Sequence, residues 1–317
     1  MNPMRSTEAP RIAVLGSLNM DLVVRVPHAP AAGETLQGHS IHSIPGGKGG
    51  NQAVSCARQG AQVSLLGCVG ADAHGEALRQ ALQQDGIDTT AVQIDPAAPT
   101  GTALVMVEDS GQNRIVVIAG ANARVEIDDA ALAARLDRAA FLVAQFESPL
   151  VQVARAMNAA VRAGCKVLLN PSPVQAVDAA LWPLIDTLVV NEVEARTLAG
   201  QPAEEPRDAA AAGAVLRARG VARVVVTLGA GGAVAIDADG ARHHPAPRVQ
   251  AVDTTAAGDT FLGALAVTLA CGGSLDEAVR LGIRAAALCI TQPGAQPSIP
   301  LRDAVLRSPL PPDWTPL

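Results

Sequence analysis

The chain has 317 residues, 49% hydrophobic and 17% charged, enough for one large α/β domain or two ordinary ones and unlike a disordered chain. Its formal charge of −6, with no Lys/Arg run to override it, argues against a nucleic-acid partner or an anionic membrane surface. Five dispersed cysteines without a C-x-x-C pair, no apolar h-region in Met1–Pro10 and no bilayer-length apolar stretch together predict a soluble, cytoplasmic protein.

Arg11–Gly16 is a short apolar run ending in glycine and reads as a buried strand. Asp21–Val26, Leu36–Ile44, Thr102–Val107 and Arg114–Ala119 read as half-exposed strands, the last two joined by the turn Glu108–Asn113. They predict a small sheet apart from the main core. Strand and helix then alternate: strand Val63–Val69, helix Gly75–Gln84, strand Phe141–Ala144, helix Leu150–Ala163, strands Lys166–Leu169 and Thr187–Val190. Helices near Glu192–Leu198 and Asp208–Ala218 precede a β-branched central strand, Val221–Thr227, and a hairpin through Val234–Ile236. Helices Gly258–Ala270, Leu275–Thr291 and Leu301–Leu306 close the chain. The expectation is an α/β fold, a mostly parallel central sheet with helices on both faces. It forms a single domain over 1–317, with a small β-sheet lid from segments near 18–27, 35–45 and 100–119.

Neither a P-loop nor a dinucleotide fingerprint is present: Lys48 is followed by Gly49, and Gly16 leads into Ser-Leu-Asn. The strongest local signal is VDTTAAGDTF (252–261), ahead of an apolar helical pattern. Small residues Ala256, Ala257 and Gly258 allow a tight turn whose free amides form an anion hole, with the Asp259 carboxylate beside it as a base for a hydroxyl. Simple helix capping by Asp259 or Asp253 explains the same residues equally well. PGGKGGNQA (45–53) also opens a helix; its glycines permit close approach, and Asn51 offers a donor and an acceptor to a sugar hydroxyl, although a structural turn fits too. Asn19 and Asp21, two apart on an extended segment, point the same way and could grip vicinal hydroxyls, or form an Asx turn. Asn191 and Glu194 fit a capping box, or a water-mediated Mg²⁺ site beside nucleotide phosphates. His243 and His244 read as solvated surface.

Taken in order, GSLNMD (16–21), PGGKGGNQA (45–53), QFESPL (145–150), NPSP (170–173), NEVE (191–194), TLGAGG (227–232), VQAVDTTAAGDTF (249–261) and PGAQPS (293–298) resemble the ribokinase-like carbohydrate kinase family over nearly the whole chain. N-M-D, GGKGxNQ and GAQPS resemble its ribose-phosphorylating members most. The resemblance implies transfer of the γ-phosphoryl group of ATP to the primary hydroxyl of D-ribose, giving D-ribose 5-phosphate; the alternative is deoxyribose, another sugar or a nucleoside. It implies Asp259 as base and Ala256–Gly258 as anion hole. Asn19, Asp21, Gly47, Lys48, Asn51 and Glu147 would hold the sugar. Asn191, Thr227, Gly229, Gly232, Gly258 and Ile283 would meet ATP, and Glu194 would place Mg²⁺ through water. Asp253, Thr255, Cys289, Gln292, Gly294 and Ser298 would form an activating K⁺ loop, and the lid would cover the sugar and mediate a homodimer. Gly50 stands where Ala is usual, and Leu262 where a polar residue is common.

Overall fold

In the computed structural model, which describes residues 8–317, the first half of the chain runs β1 (Arg11–Leu15), β2 (Asn19–Val26), β3 (Ser40–Gly46), α1 (Lys48–Arg58), β4 (Gln62–Gly70), α2 (Ala73–Gln84), β5 (Asp88–Asp95), β6 (Gly101–Glu108), β7 (Asn113–Ile118) and α3 (Asp129–Leu136). There follow β8 (Phe141–Gln145), α4 (Leu150–Arg162), β9 (Lys166–Asn170), β10 (Thr187–Asn191), α5 (Glu192–Ala199) and α6 (Pro206–Ala218). The chain ends with β11 (Arg223–Thr227), β12 (Ala233–Asp237), β13 (Gly240–His244), α7 (Ala257–Ala270), α8 (Leu275–Cys289), α9 (Arg302–Arg307) and β14 (Thr315–Pro316). The reading of Met1–Pro10 falls, for residues 1–7, outside the described residues.

Ten strands form one sheet in the order β14-β13-β12-β11-β10-β9-β8-β1-β4-β5, parallel from β11 to β5 and antiparallel beyond β11. Alternation decides which layer each residue enters. In β1, Ala13 and Leu15 join the core under α3, α4, α5 and α6, while Ile12 and Val14 join the core under α1, α2, α7 and α8. Phe141 and Val143 of β8 divide from Leu142 and Ala144 in the same way. Helices therefore cover both faces, as expected from the sequence.

The small sheet has the order β3-β2-β6-β7, with β2 and β6 parallel and the outer pairs antiparallel. Strand β3 begins at Ser40 rather than Leu36, after a turn at Ala31–Glu34 closed by the Glu34 amide and carboxylate. Helix α8 stops at Cys289, short of the expected Thr291, just before Pro293 and Gly294. Three elements have no counterpart in the sequence reading: β5, α3 and β14. Helix α3 is only two turns long, started by the Asp128 side chain accepting from the Ala131 amide (2.8 Å), too short for periodicity to stand out. Among the described residues, no helix is long and apolar enough to cross a membrane.

Candidate active site

The strand order reverses around β1, whose neighbours are β4 on one side and β8 on the other, so the sheet leaves a crevice at the carboxyl ends of this pair. The Ser17 hydroxyl, just past β1, donates to the Glu147 carboxylate, just past β8, at 2.5 Å. Helix α1 starts in this crevice. An added Cβ on Gly16 would lie 2.7 Å from Gly49 Cα, so only glycine lets the helix start come this close to the strand end. The Lys48 amide reaches Glu147 Oε2 at 3.3 Å, and the next turn delivers Asn51 and Gln52. From the small sheet, β2 supplies Asn19 and Asp21, two residues apart on one face. Asn122 fixes the first of these: it donates to Asn19 Oδ1 (2.8 Å) while accepting from the Leu18 amide (2.9 Å) and donating to the Leu18 carbonyl (3.1 Å).

Helix α7 carries a single ionisable residue, Asp259, in its first turn. The rest is almost entirely apolar and buried, so the helix is held in place by packing and the carboxylate is carried with it. Asp259 Oδ1 accepts from Gln52 Nε2 (2.8 Å) and Oδ2 from Asn51 Nδ2 (3.0 Å). These bonds bring together two motifs more than 200 residues apart in sequence. Ala256 precedes the helix in the left-handed region (φ 60°), at a cost of about 1 kcal/mol or more for a residue with a Cβ. The Thr260 amide takes the Ala256 carbonyl (2.8 Å) and the Ala257 amide turns to the Thr254 carbonyl (3.3 Å). Of the expected amides, that of Gly258 lies ahead of the intrahelical ladder, and the Asp259 amide joins it there. Lys48, Asn191, Glu194, Thr227 and Ala256–Asp259 line a cleft of about 270 Å³ at this helix start.

Negative charge gathers here. Burial, then Glu147 and then Asp259, push the Asp21 carboxyl up to about 7. Burial alone would pull the Lys48 ammonium down, but Asp259, Glu147 and Glu194 outweigh it and hold it above its usual value. The capping box at α5 is complete: Asn191 Oδ1 accepts from the Glu194 amide (2.8 Å) and Glu194 Oε2 from the Asn191 amide (3.0 Å). Both residues also face the cleft. Capping and a ligand role are thus compatible here.

Elsewhere the expected residues divide. Gly229 and Gly232 form the turn after β11 and do not line the cleft, while Ile283 is buried in the core under α1, α2, α7 and α8. Asp253, Thr255, Cys289, Gly294 and Ser298 do come together. Asp253 accepts from the Thr255 amide (2.9 Å) and hydroxyl (2.6 Å) and from the Gly294 amide (2.9 Å), and Cys289 Sγ lies 3.0 Å from Ser298 Oγ. Burial works to raise the Asp253 pKa, but those donors outweigh it and hold the carboxyl below its usual range. Gln292 is exposed at the rim. Among the described residues, no group of three or more His, Cys, Asp or Glu side chains could hold a metal ion by itself. Gln52, Gln145 and Asn122 were not singled out from the sequence. No local pattern marks them: Gln52 shares its helix face with Ser55 and Gln59, which are buried polar residues as well.

This arrangement can be set against known proteins. A ribokinase of Haemophilus influenzae is 40% identical over 296 residues, which is 93% of this chain and 97% of that one. A ribokinase of Mus musculus is 38% identical over 306 residues, 95% of each. The solved structure of Arabidopsis thaliana ribokinase complexed with ribose and ATP matches with a TM-score of 0.89 at 34% identity, over 95% of this chain and 98% of that one. The model of the pfkB family carbohydrate kinases matches residues 9–302. With the helix that bears Asp259, the Gly-rich helix start and the mixed small sheet all inside that match, the chain belongs to the pfkB family of carbohydrate kinases.

Proposed function

We propose that the chain transfers the γ-phosphoryl group of ATP to the primary hydroxyl of D-ribose, giving D-ribose 5-phosphate and ADP. The observation that carries this reading is the Asp259 carboxylate, held by Asn51 and Gln52 at a helix start that lines the cleft. Asp259 takes the hydroxyl proton as the sugar oxygen bonds to phosphorus and the bond to ADP breaks. The helix-start amides around Ala256–Gly258 stabilise the charge on the migrating phosphoryl oxygens. Asn19, Asp21, Asn51, Glu147 and the Gly47–Lys48 backbone hold the sugar; Asn191 and Thr227 lie on the nucleotide side, with Gly229 and Gly232 in the turn behind. The Glu194 carboxylate fits Mg²⁺ held through water, and that ion supplies neutralising charge to the phosphates. The loops at 253–255 and 289–298, tied by the Asp253–Gly294 bond, fit K⁺ bound largely by main-chain oxygen.

The ten-stranded sheet and its helices form one domain, and the small sheet is its lid, excluding water from the sugar site. A homodimer through the lid accounts for β7, an edge strand on which Ile115, Val116, Val117 and Ile118 are each between 54% and 58% exposed. All five cysteines are free thiols, in keeping with the cytoplasm. A purified-enzyme panel of D-ribose, 2-deoxyribose, hexoses and adenosine, with the product located by phosphorus NMR, tests the assignment. D-ribose should be the best acceptor; faster turnover of deoxyribose or a nucleoside by a large factor would reject it.

A further inference from the structure

We infer that Gln52, backed by Gln145, is a positioning residue for the base, a chain of two side-chain amides that fixes the plane of the Asp259 carboxylate. The inference rests on the reading of Asp259 as base. Gln52 Nε2 donates to Asp259 Oδ1 at 2.8 Å, and Gln52 Oε1 accepts from Gln145 Nε2 at 2.5 Å. Both glutamines are fully buried, at 0% exposure, so neither is placed to contact a sugar or a nucleotide directly.

The direction of the chain follows from chemistry. An ionised carboxylate only accepts, so Gln52 must turn its NH₂ to Asp259 and its carbonyl to Gln145. Gln145 must then turn its NH₂ forward, and its own Oε1 ends the chain, buried against Gly16 without a partner. Both amide dipoles thus present their positive ends to the base. A purely structural pair would have no reason to keep that orphaned carbonyl. Leaving it unmatched is destabilising, whereas apolar side chains of the same shape would be nearly neutral. Asn51 differs. It donates to the other oxygen, but its Oδ1 is buried and unpaired, available to an acceptor hydroxyl. Asn51 therefore touches base and substrate, whereas Gln52 touches the base and, at longer range, Asn170 Oδ1 (3.4 Å).

The test uses the full chain and steady-state kinetics with D-ribose and ATP, together with ribose binding by calorimetry. Gln52→Met should lower kcat by about 10- to 100-fold, the scale of a misaligned reacting group, with both KM values within about threefold of wild type. Gln145→Met should lower kcat less, by about 3- to 10-fold, and the double variant should match Gln52→Met within about twofold because Gln145 acts only through Gln52. In an Asp259→Asn background, Gln52→Met should add no further loss. A kcat within about twofold of wild type in Gln52→Met, a rise in KM alone, or multiplicative losses in the double variant would overturn the proposal. Should Gln52→Met fail to fold, Gln145→Met carries the same test, and an unchanged kcat there rejects the chain. A wild-type enzyme inactive on ribose would instead reject the proposed function, so the two failures are distinct.

Discussion

The helix-covered body and the small sheet contribute opposite kinds of carboxylate to one crevice. Asp259, on the body, is clamped by two amide donors, while Asp21, on the small sheet, stands among other acids and is pushed up to about 7 by burial, Glu147 and Asp259. The surroundings differ as well. Body strands such as β8 are buried throughout, whereas every residue of β7 is exposed. On the proposed function, the clamped carboxylate serves the chemistry and the crowded one recognises the sugar.

The harshest way to break that division is Asp259→Asn. Turnover should fall by about 10²- to 10⁴-fold, the usual worth of a positioned base, with ribose affinity by calorimetry within a few-fold of wild type. Asp21→Asn should do the reverse, raising the ribose KM by about 10- to 100-fold through loss of a charged hydrogen bond while kcat changes little. Near-wild-type turnover in the first variant, or a collapse of kcat alone in the second, would erase the distinction.

Protonation sharpens it. Because the folded-state Asp21 pKa lies above its unfolded value, the native state binds the extra proton between roughly pH 4 and 7. That contribution to stability therefore falls as pH rises through the window. Ribose hydroxyls donating to the ionised form should reverse the preference, so binding near pH 6.5 should release a proton. Calorimetry in buffers of different ionisation enthalpy should detect this in the wild type and find it gone in Asp21→Asn.

On the outer surface, Val116→Glu should shift a dimer to monomer in light scattering while leaving thermal unfolding of the body nearly unchanged. A variant that stays dimeric would remove β7 from the interface. The smallest effect expected is from Ala256→Gly, which relieves the positive φ at the start of α7. Its stability should change by no more than about 1 kcal/mol, since relief in the folded state is offset by added freedom in the unfolded chain.

Much of the fold was legible because the body is built by alternation and punctuation. The strands around Val14, Val143 and Val225 are buried on both faces and read as apolar runs, and Gly16, Gly47 and Gly200 mark where elements end or begin. β5 was opaque since Asp88, Thr89, Thr90, Gln93 and Asp95 dilute its apolar positions. At the site, Asp259 and Asn51 were visible through the small residues around them. Gln52, Gln145 and Asn122 act by touching other side chains across 93 residues or more, and no local pattern encodes such a contact.

Ser55 donates to the Thr260 carbonyl (2.9 Å), and a methyl group placed on Gly263 would sit 2.2 Å from that same serine oxygen. Here α1 and α7 meet almost backbone to backbone. Across descendants of this sequence, positions 55 and 263 should consequently drift as a couple: a side chain gained at 263 must be matched by bulk lost at 55, or the amides and the acid they orient part company. On the proposed function, altered acceptor preference is accordingly easier to evolve through β2, which carries Asn19 and Asp21 away from that seam.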